Sequence, residues 1–125
     1  MYADTDFILA LLKDDDWLQD SAKEVYRKNN DEIWTSQIAV IELMIVCENE
    51  GFDVERNLVD LEQLIEIKAE MDQFLTAAHY MKNHGLHTFD ALHAAYCGDE
   101  TILSTDKEFE KLDIQNYNFR LDSED

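Results

Sequence analysis

The stretch EIWTSQIAVIELMIVCENE, residues 32–50, combines the two patterns that decide the fold. Its first four residues, Glu32–Thr35, are typical of a short strand. Ser36 is a favoured residue at a helix N-terminus, and the apolar run behind it predicts a buried helix that continues to Glu50. Gly51 is then suited to ending that helix in a left-handed conformation. A strand followed at once by a helix is the building unit of parallel α/β proteins.

The same alternation continues on both sides of this stretch. Six further helices are predicted, at Phe7–Leu12, Asp16–Asn29, Val54–Leu64, Glu70–His84, Thr88–Cys97 and Lys107–Leu112. Three further strands are predicted, at Leu64–Ile67, Thr101–Ser104 and, as an edge strand, Tyr117–Leu121. Strands that alternate with helices predict a parallel sheet with helices on both faces. Because no linker, repeat or low-complexity segment interrupts the sequence, we expect one domain over residues 1–125.

The chain is extremely acidic, with a net charge of −19 from 29 Asp and Glu against 10 Lys and Arg. One explanation is the high-salt cytoplasm of a halophilic archaeon. The other is an acidic surface that meets a basic partner or mimics nucleic acid. The charge is spread along the whole chain and not gathered in a block, which favours the first explanation. The basic stripe that is usual for nucleic-acid binding is absent from the sequence.

Nothing in the sequence predicts insertion into a membrane. The N-terminus has no basic segment followed by an apolar stretch, so no signal peptide is predicted. The longest apolar run, Ile38–Cys47, has ten residues and contains Glu42, which makes it too short to span a bilayer. We therefore expect a soluble, cytoplasmic protein.

Four carboxylates stand where the local pattern prefers an uncharged residue, or where a strand ends. They are Asp4, Glu42, Asp90 and Asp106. Ligands of parallel sheets gather beyond the carboxyl ends of the strands, and Asp4 and Asp106 are predicted to lie there. Carboxylates without a strongly basic partner suit hard divalent cations. Cations held in this way indicate phosphodiester hydrolysis.

Each of these acids also has an ordinary structural interpretation. In a buried helix, an ionised Glu42 costs several kcal/mol unless it is paired or bound to a metal, but it could instead lie on a thin polar stripe. Asp90 falls in the first turn of a helix and could complement the helix dipole. Asp4 and Asp106 could be N-caps, and Asp6 could cap the first helix in place of Asp4.

Other chemistries have less support. The histidines have no i,i+4 pair and no accompanying cysteine pair, so a zinc site is not indicated; they are His79, His84, His87 and His93. The glycines form neither a phosphate loop nor a dinucleotide fingerprint. Glu66 also has apolar neighbours, but alternation along a strand sends it to the opposite face. It is therefore left out of the candidate site.

Four short motifs together resemble the PIN-domain family, most closely the toxin ribonucleases of VapBC-type toxin–antitoxin pairs. MYADTD at residues 1–6 is similar to the opening strand, which ends in Asp followed by Thr. SQIAVIEL at residues 36–43 is similar to the helix that carries the family's Glu. TFDALHAA at residues 88–95 and LSTDKEF at residues 103–109 resemble the segments with the third and fourth acids. Each motif is weak alone, but their order and spacing over nearly the whole chain are specific.

The resemblance implies a three-layer α/β/α sandwich around a mainly parallel sheet. It also implies that four acids act as catalytic ligands of Mg²⁺ or Mn²⁺: Asp4, Glu42, Asp90 and Asp106. Secondary candidates at positions that match the family less closely, or that could orient phosphate or water, are Asp6, Ser104, Thr105 and Glu108.

The implied activity is metal-dependent endoribonuclease cleavage of single-stranded or structured RNA, by the toxin of a toxin–antitoxin system. The implied partners are a cognate antitoxin and a second copy of the chain in a homodimer. Two alternatives stay open: a non-catalytic PIN-like binding module, and a structure-specific DNA nuclease. The second would need extra helical clamps for a duplex, for which 125 residues leave little room.

Overall fold

A computed structural model describes residues 1–104 and 106–118, and its backbone contacts divide the chain into two compact units. The first unit is Met1–Glu70 and the second is Met71–Asp125. Both units consist mainly of helices and contain a short pair of parallel strands. The predicted α/β class and the parallel pairing are therefore confirmed, whereas the three-layer sandwich stays a prediction.

The first unit contains four helices and two strands. They are α1 (Thr5–Leu12), α2 (Gln19–Asn29), β1 (Trp34–Ser36), α3 (Gln37–Glu50), α4 (Val54–Leu64) and β2 (Glu66–Lys68), with a 3₁₀ turn at Asn30–Glu32. β1 pairs in parallel with β2, so that Thr35 lies opposite Ile67. Tyr2 adds a parallel bridge to Trp34, which brings the start of the chain to the other side of β1.

The core of the first unit lies where α3 contacts α1 and α4. Its fully buried side chains are Ile8, Val40, Leu43, Met44, Leu58 and Leu61. Thr35 in β1 is also fully buried, and its hydroxyl donates a hydrogen bond of 2.7 Å to the carbonyl of Ala3. This bond satisfies a buried polar group and fixes the segment that leads to Asp4.

In its described residues, 71–104 and 106–118, the second unit has two α-helices and two short strands. They are α5 (Asp72–His84), α6 (Thr88–Cys97), β3 (Ile102–Leu103) and β4 (Asn116–Tyr117), with a 3₁₀ helix at Lys107–Lys111. α5 ends at Gly85, whose φ of 68° is readily adopted only by glycine. The small buried residues Ala77 and Ala91 let α5 and α6 pack closely. β3 and β4 are parallel, with Ile102 opposite Asn116.

Two helices have the predicted bounds, and others differ at their ends. α4 and α6 run over Val54–Leu64 and Thr88–Cys97 as predicted. The residue type of Thr88 predicts it as the cap of α6. This prediction is wrong, because His87 holds the N-cap position and Thr88 is a buried residue of the first turn. β2 begins at Glu66, two residues later than predicted, since α4 continues through Leu64.

The predicted helix Asp16–Asn29 is partly wrong. α2 begins only at Gln19, because a turn precedes it in which Asp16 accepts a hydrogen bond from the Leu18 amide at 2.8 Å. The amphipathic pattern of this segment predicts a packed side made of Trp17, Leu18, Ala22, Val25 and Tyr26. Trp17 instead lies before the helix and is 87% exposed. Of the residues predicted on that side only Ala22 is buried. Of the predicted edge strand Tyr117–Leu121, Tyr117 lies in β4 (Asn116–Tyr117), Asn118 does not, and positions 119–121 lie outside the described residues.

α3 is apolar in sequence but is not buried all round. Ala39, Val40 and Leu43 are buried, whereas Ile38 and Glu42 on another side are exposed. The prediction of a fully buried helix is therefore wrong for that side. α3 has 14 residues, and within the described part of the chain no helix has the length and apolar character that crossing a membrane requires.

Candidate active site

Asp4 lies at the point where the first extended segment turns into α1. It is exposed and is the N-cap of α1, because its Oδ1 accepts a hydrogen bond of 3.2 Å from the Phe7 amide. The capping interpretation is therefore confirmed for Asp4, and Asp6 lies inside the first turn instead. The cap bond engages one carboxylate oxygen, so capping and cation binding by Asp4 are chemically compatible.

Glu42 is connected to the same end of α1. Its Oε2 accepts a hydrogen bond of 3.1 Å from the hydroxyl of Thr5, which is only 8% exposed. Since Asp4 and Thr5 are consecutive, Asp4 and Glu42 are both positioned by the first residues of α1. The expectation that Glu42 is buried is wrong, and the argument from the cost of desolvation no longer supports its role. Its hydrogen bond to Thr5 fixes the carboxylate beside the start of α1.

Asp90 and Asp106 line one pocket of the second unit, of about 320 Å³. Asp90 is half-buried in the first turn of α6, and Asp106 follows β3 and caps the 3₁₀ helix by accepting the Glu108 amide at 2.9 Å. Burial raises the pKa of Asp90, and the nearby carboxylates of Asp106 and Glu108 and a hydrogen bond to Asp106 raise it further, against a smaller lowering by His87. The two acids of this pair are therefore close enough to interact.

The secondary candidates have different roles. The Ser104 hydroxyl accepts a hydrogen bond of 2.9 Å from the Asp106 amide, and thus fixes the turn that carries Asp106. Glu108 accepts from the Lys111 ammonium at 2.8 Å. Asp6 is exposed and borders a groove beside α2. Thr105 lies outside the described residues.

Two residues near the acids were not singled out from the sequence. Thr5 contacts Glu42 across 37 positions, a distance that no local pattern reveals. His93 lines the pocket of Asp90 and Asp106. Its place three residues after Asp90 on α6 is a helical spacing that puts the two on one side, and this spacing could have indicated it.

The oxygen donors fit magnesium or manganese better than softer metals. The two pairs offer carboxylates, with the hydroxyls of Thr5 and Ser104 beside them. Burial is the largest cause of the raised pKa of Asp90, and the repulsion by Asp106 and Glu108 that adds to it is of the kind that a divalent cation relieves. Within residues 1–104 and 106–118, no three His, Cys, Asp or Glu side chains form a group that could hold a metal ion.

The order of these acids along the chain can be compared with known families. The PIN domain family matches residues 1–115, which is most of the chain. The chain belongs to the PIN domain family. PIN domains are a nuclease-type family, commonly hydrolases, and typically depend on divalent metal ions. Comparison with curated proteins gave no match.

The PIN family match covers both pairs of acids. The matched segment includes Asp4, Glu42, Asp90 and Asp106. It also includes β1, β2 and β3, and it ends one residue before β4 begins at Asn116. Membership of the PIN family indicates a nucleic-acid substrate, and carboxylate oxygens are the donor type that divalent cations prefer.

Replacement of Thr5 by Val tests whether its hydroxyl orients Glu42. Val has nearly the same shape, so the packing around this buried position is kept while the bond to Glu42 is lost. We expect a loss of about 1 kcal/mol in the free energy of unfolding, measured by urea denaturation. We also expect about 10-fold weaker Mn²⁺ binding, measured by calorimetry.

Thr5→Ser is the control, because serine keeps the hydroxyl. It should restore Mn²⁺ affinity even if the missing methyl group lowers stability. Equal Mn²⁺ affinity in wild type and Thr5→Val would show that Thr5 has a structural role only.

Proposed function

We propose that this PIN domain is a divalent-metal-dependent endoribonuclease and the toxin of a toxin–antitoxin pair. The observation that carries the proposal is that Asp90 and Asp106 line one pocket, with Glu108 near enough for its charge to act on Asp90. Burial of Asp90 and repulsion by the carboxylates of Asp106 and Glu108 disfavour its ionised form, which opposes folding at neutral pH. Such repulsion is useful where a cation has to be held.

Asp4, Glu42, Asp90 and Asp106 would hold the Mg²⁺ or Mn²⁺. When bound, such a cation lowers the pKa of water and neutralises charge on a phosphate. The chain's own residues prepare this site. Thr5 orients Glu42 through its hydroxyl, and Ser104 fixes the backbone of Asp106. Rigid support of this kind reduces the reorganisation needed when substrate binds.

We further propose that residues 1–125 form a single PIN domain with three α/β/α layers. The family match supports this, because it begins at residue 1 and continues to residue 115, through both compact units. The parallel pairing of β1 with β2 and of β3 with β4 also supports it, because α/β/α sandwiches contain mainly parallel sheets.

The proposed partners are single-stranded or structured RNA, a cognate antitoxin and a second copy of the chain. A groove of about 210 Å³ in the first unit supports the antitoxin, since Phe7, Leu18 and Val25 give it an apolar lining and Asp6 an acidic border. A basic amphipathic segment would complement that lining and that charge. The acidity spread along the chain supports an origin in the cytoplasm of a halophilic archaeon.

One observation favours a second candidate, a PIN-like module that binds a partner without catalysis. No metal-binding group of three suitable side chains is found in the described ranges 1–104 and 106–118. A module of this kind would keep the fold and the acidic surface but would not bind divalent ions specifically. The two candidates therefore differ in a property that can be measured directly.

Titration calorimetry with Mn²⁺ separates them. The nuclease proposal predicts saturable binding that weakens at least about 10-fold in Asp106→Asn, because one ligand loses its charge. Asp113→Asn is the matched control, since Asp113 is an exposed acid a few residues away and should bind as wild type. The absence of saturable binding, or equal binding by Asp106→Asn and wild type, would favour the non-catalytic module.

A further inference from the structure

Two aromatic side chains and a lysine form a cluster on the strands of the first unit. The ring of Tyr2 contacts the ring of Trp34 at a centroid distance of 4.9 Å and an interplanar angle of 66°. The Tyr2 hydroxyl shares a hydrogen bond of 2.8 Å with the Ser36 hydroxyl. The Lys68 ammonium lies over the Trp34 ring, 4.0 Å from its centroid. We refer to Tyr2, Trp34 and Lys68 as the aromatic–lysine cluster.

The cluster lies on the open face of these strands. Side chains alternate along a strand, and Ile33, Thr35 and Ile65 point to the buried face. Trp34, Glu66 and Lys68 point the other way and are partly or fully exposed. Tyr2 is 50% exposed although its ring and its hydroxyl are both held in place.

These side chains have the chemistry of a single-strand nucleic-acid subsite. A half-exposed aromatic ring held at two points offers a surface on which a base can stack at little entropic cost. A lysine beside it supplies a charge for the adjoining phosphate. Lys68 is one of only 10 Lys and Arg in a chain with 29 acids, so a cation at this position is an uncommon feature of the surface.

The position of the cluster relates it to the candidate active site. Tyr2 and Asp4 are two residues apart in an extended segment, so their side chains leave the backbone on the same side. Two residues of extended chain span about 6.6 Å. A base on Tyr2 would therefore bring its neighbouring phosphate towards Asp4.

We propose that the aromatic–lysine cluster is a substrate subsite for one unpaired nucleotide. The base stacks on Tyr2, which Trp34 and Ser36 hold in place, and Lys68 contacts a phosphate. The acidic neighbours Asp4 and Glu66 repel the dense charge of a duplex, which favours an unpaired strand. This inference rests on the proposed function, since it names the part of the substrate that this PIN domain contacts.

Binding of a short oligoadenylate without divalent ions tests the proposal, because EDTA prevents cleavage. Trp17→Phe provides the parent protein, since Trp17 is highly exposed and its removal leaves Trp34 as the only tryptophan. Trp34 fluorescence should change on binding. Tyr2→Ala should weaken binding about 5- to 10-fold, as expected for one stacked base, whereas Tyr2→Phe keeps the ring and should stay within about 2-fold.

Two further variants complete the test. Tyr96→Ala removes an exposed tyrosine of α6 and is the matched control, so it should leave binding unchanged. Lys68→Ala should shift the slope of log affinity against log salt by about 0.7 in the positive direction, the value for losing one contact to a single-strand phosphate. Lys68 is exposed, so this variant is informative even if Tyr2→Ala folds poorly.

The proposal is overturned if Tyr2→Ala weakens binding no more than Tyr96→Ala, or if Tyr2→Phe binds as poorly as Tyr2→Ala. An unchanged salt slope in Lys68→Ala overturns the phosphate contact. These results do not depend on catalysis. An inactive protein that binds RNA through the cluster would refute the nuclease but not the subsite, and an active enzyme indifferent to Tyr2 would refute only the subsite.

Discussion

Replacing Asp90 by Asn is expected to abolish RNA cleavage and to make the metal-free protein more stable at neutral pH. Asn has the same shape, and its amide group can donate a hydrogen bond to Asp106, so the fold is kept while one negative charge is lost. Losing the outer partner of a metal ligand typically costs 10- to 100-fold in activity or affinity. Loss of a direct ligand should therefore lower the cleavage rate at least about 100-fold, measured on labelled single-stranded RNA with Mn²⁺.

The gain in stability follows from the raised pKa of Asp90. Burial and the carboxylates of Asp106 and Glu108 raise that pKa in the folded protein. Between the ordinary aspartate pKa and the raised one, the folded chain binds more protons than the unfolded chain, so stability falls as pH rises through this window. Above the window the wild type carries the full penalty of an ionised Asp90, which Asp90→Asn lacks.

Urea denaturation in EDTA over a pH series measures this difference. The advantage of Asp90→Asn should be present at neutral pH and should disappear below the ordinary aspartate pKa, where Asp90 is protonated in both states. Asp99→Asn is the matched control, because Asp99 is an exposed acid near the end of α6 and its loss should change neither cleavage nor stability by much. Full cleavage by Asp90→Asn would remove Asp90 from the catalytic residues.

Raising KCl from about 0.1 M to about 2 M is expected to increase the rate of RNA cleavage, since the Debye length falls from about 10 Å to below about 3 Å. Most proteins that bind nucleic acid lose affinity over such a change, because their basic contacts are screened. Here the screened interaction is the repulsion between RNA and a chain of charge −19. Electrostatic effects on association rates reach 10- to 1000-fold, so a gain of on the order of 10-fold is expected.

The salt effect on folding has to be separated from its effect on RNA. Sucrose provides this control, because it strengthens burial through exclusion from the protein surface and does not screen charge. At a sucrose concentration that restores the circular dichroism of the folded protein, cleavage in low salt should stay slow. A cleavage rate that falls steadily from about 0.1 M KCl upward, as for an ordinary basic nuclease, would contradict this expectation.

Helices with a clear amphipathic pattern could be predicted closely, whereas the open side of α3 could not. Val54–Leu64 alternates polar and apolar sides, and Asp53 caps it by accepting the Arg56 amide. α3 has apolar residues around most of its circumference, so its sequence does not distinguish the packed side from the open one. The exposure of Ile38 and Glu42 is decided by tertiary packing, which overrides the local pattern.

The candidate site, too, could be predicted only in part from the sequence. The acids could be chosen from the sequence because each lies at the end of an element or inside an apolar run. The contact of Glu42 with Thr5 joins two helices and has no local signal. The strands were hard to place because they contain only two or three residues, too few for side-chain alternation to fix their bounds.

Asp4 is both the N-cap of α1 and a proposed cation ligand, and this combination has a consequence that spectroscopy can detect. The carboxylate that accepts the Phe7 amide in the first turn of α1 is also one of those that we propose as cation ligands. A cation bound to the other oxygen would withdraw negative charge from the carboxylate and weaken its hydrogen bond to the Phe7 amide. The chemical shift of the Phe7 amide proton and its exchange rate with deuterium would therefore depend on the fraction of the protein that has the cation bound.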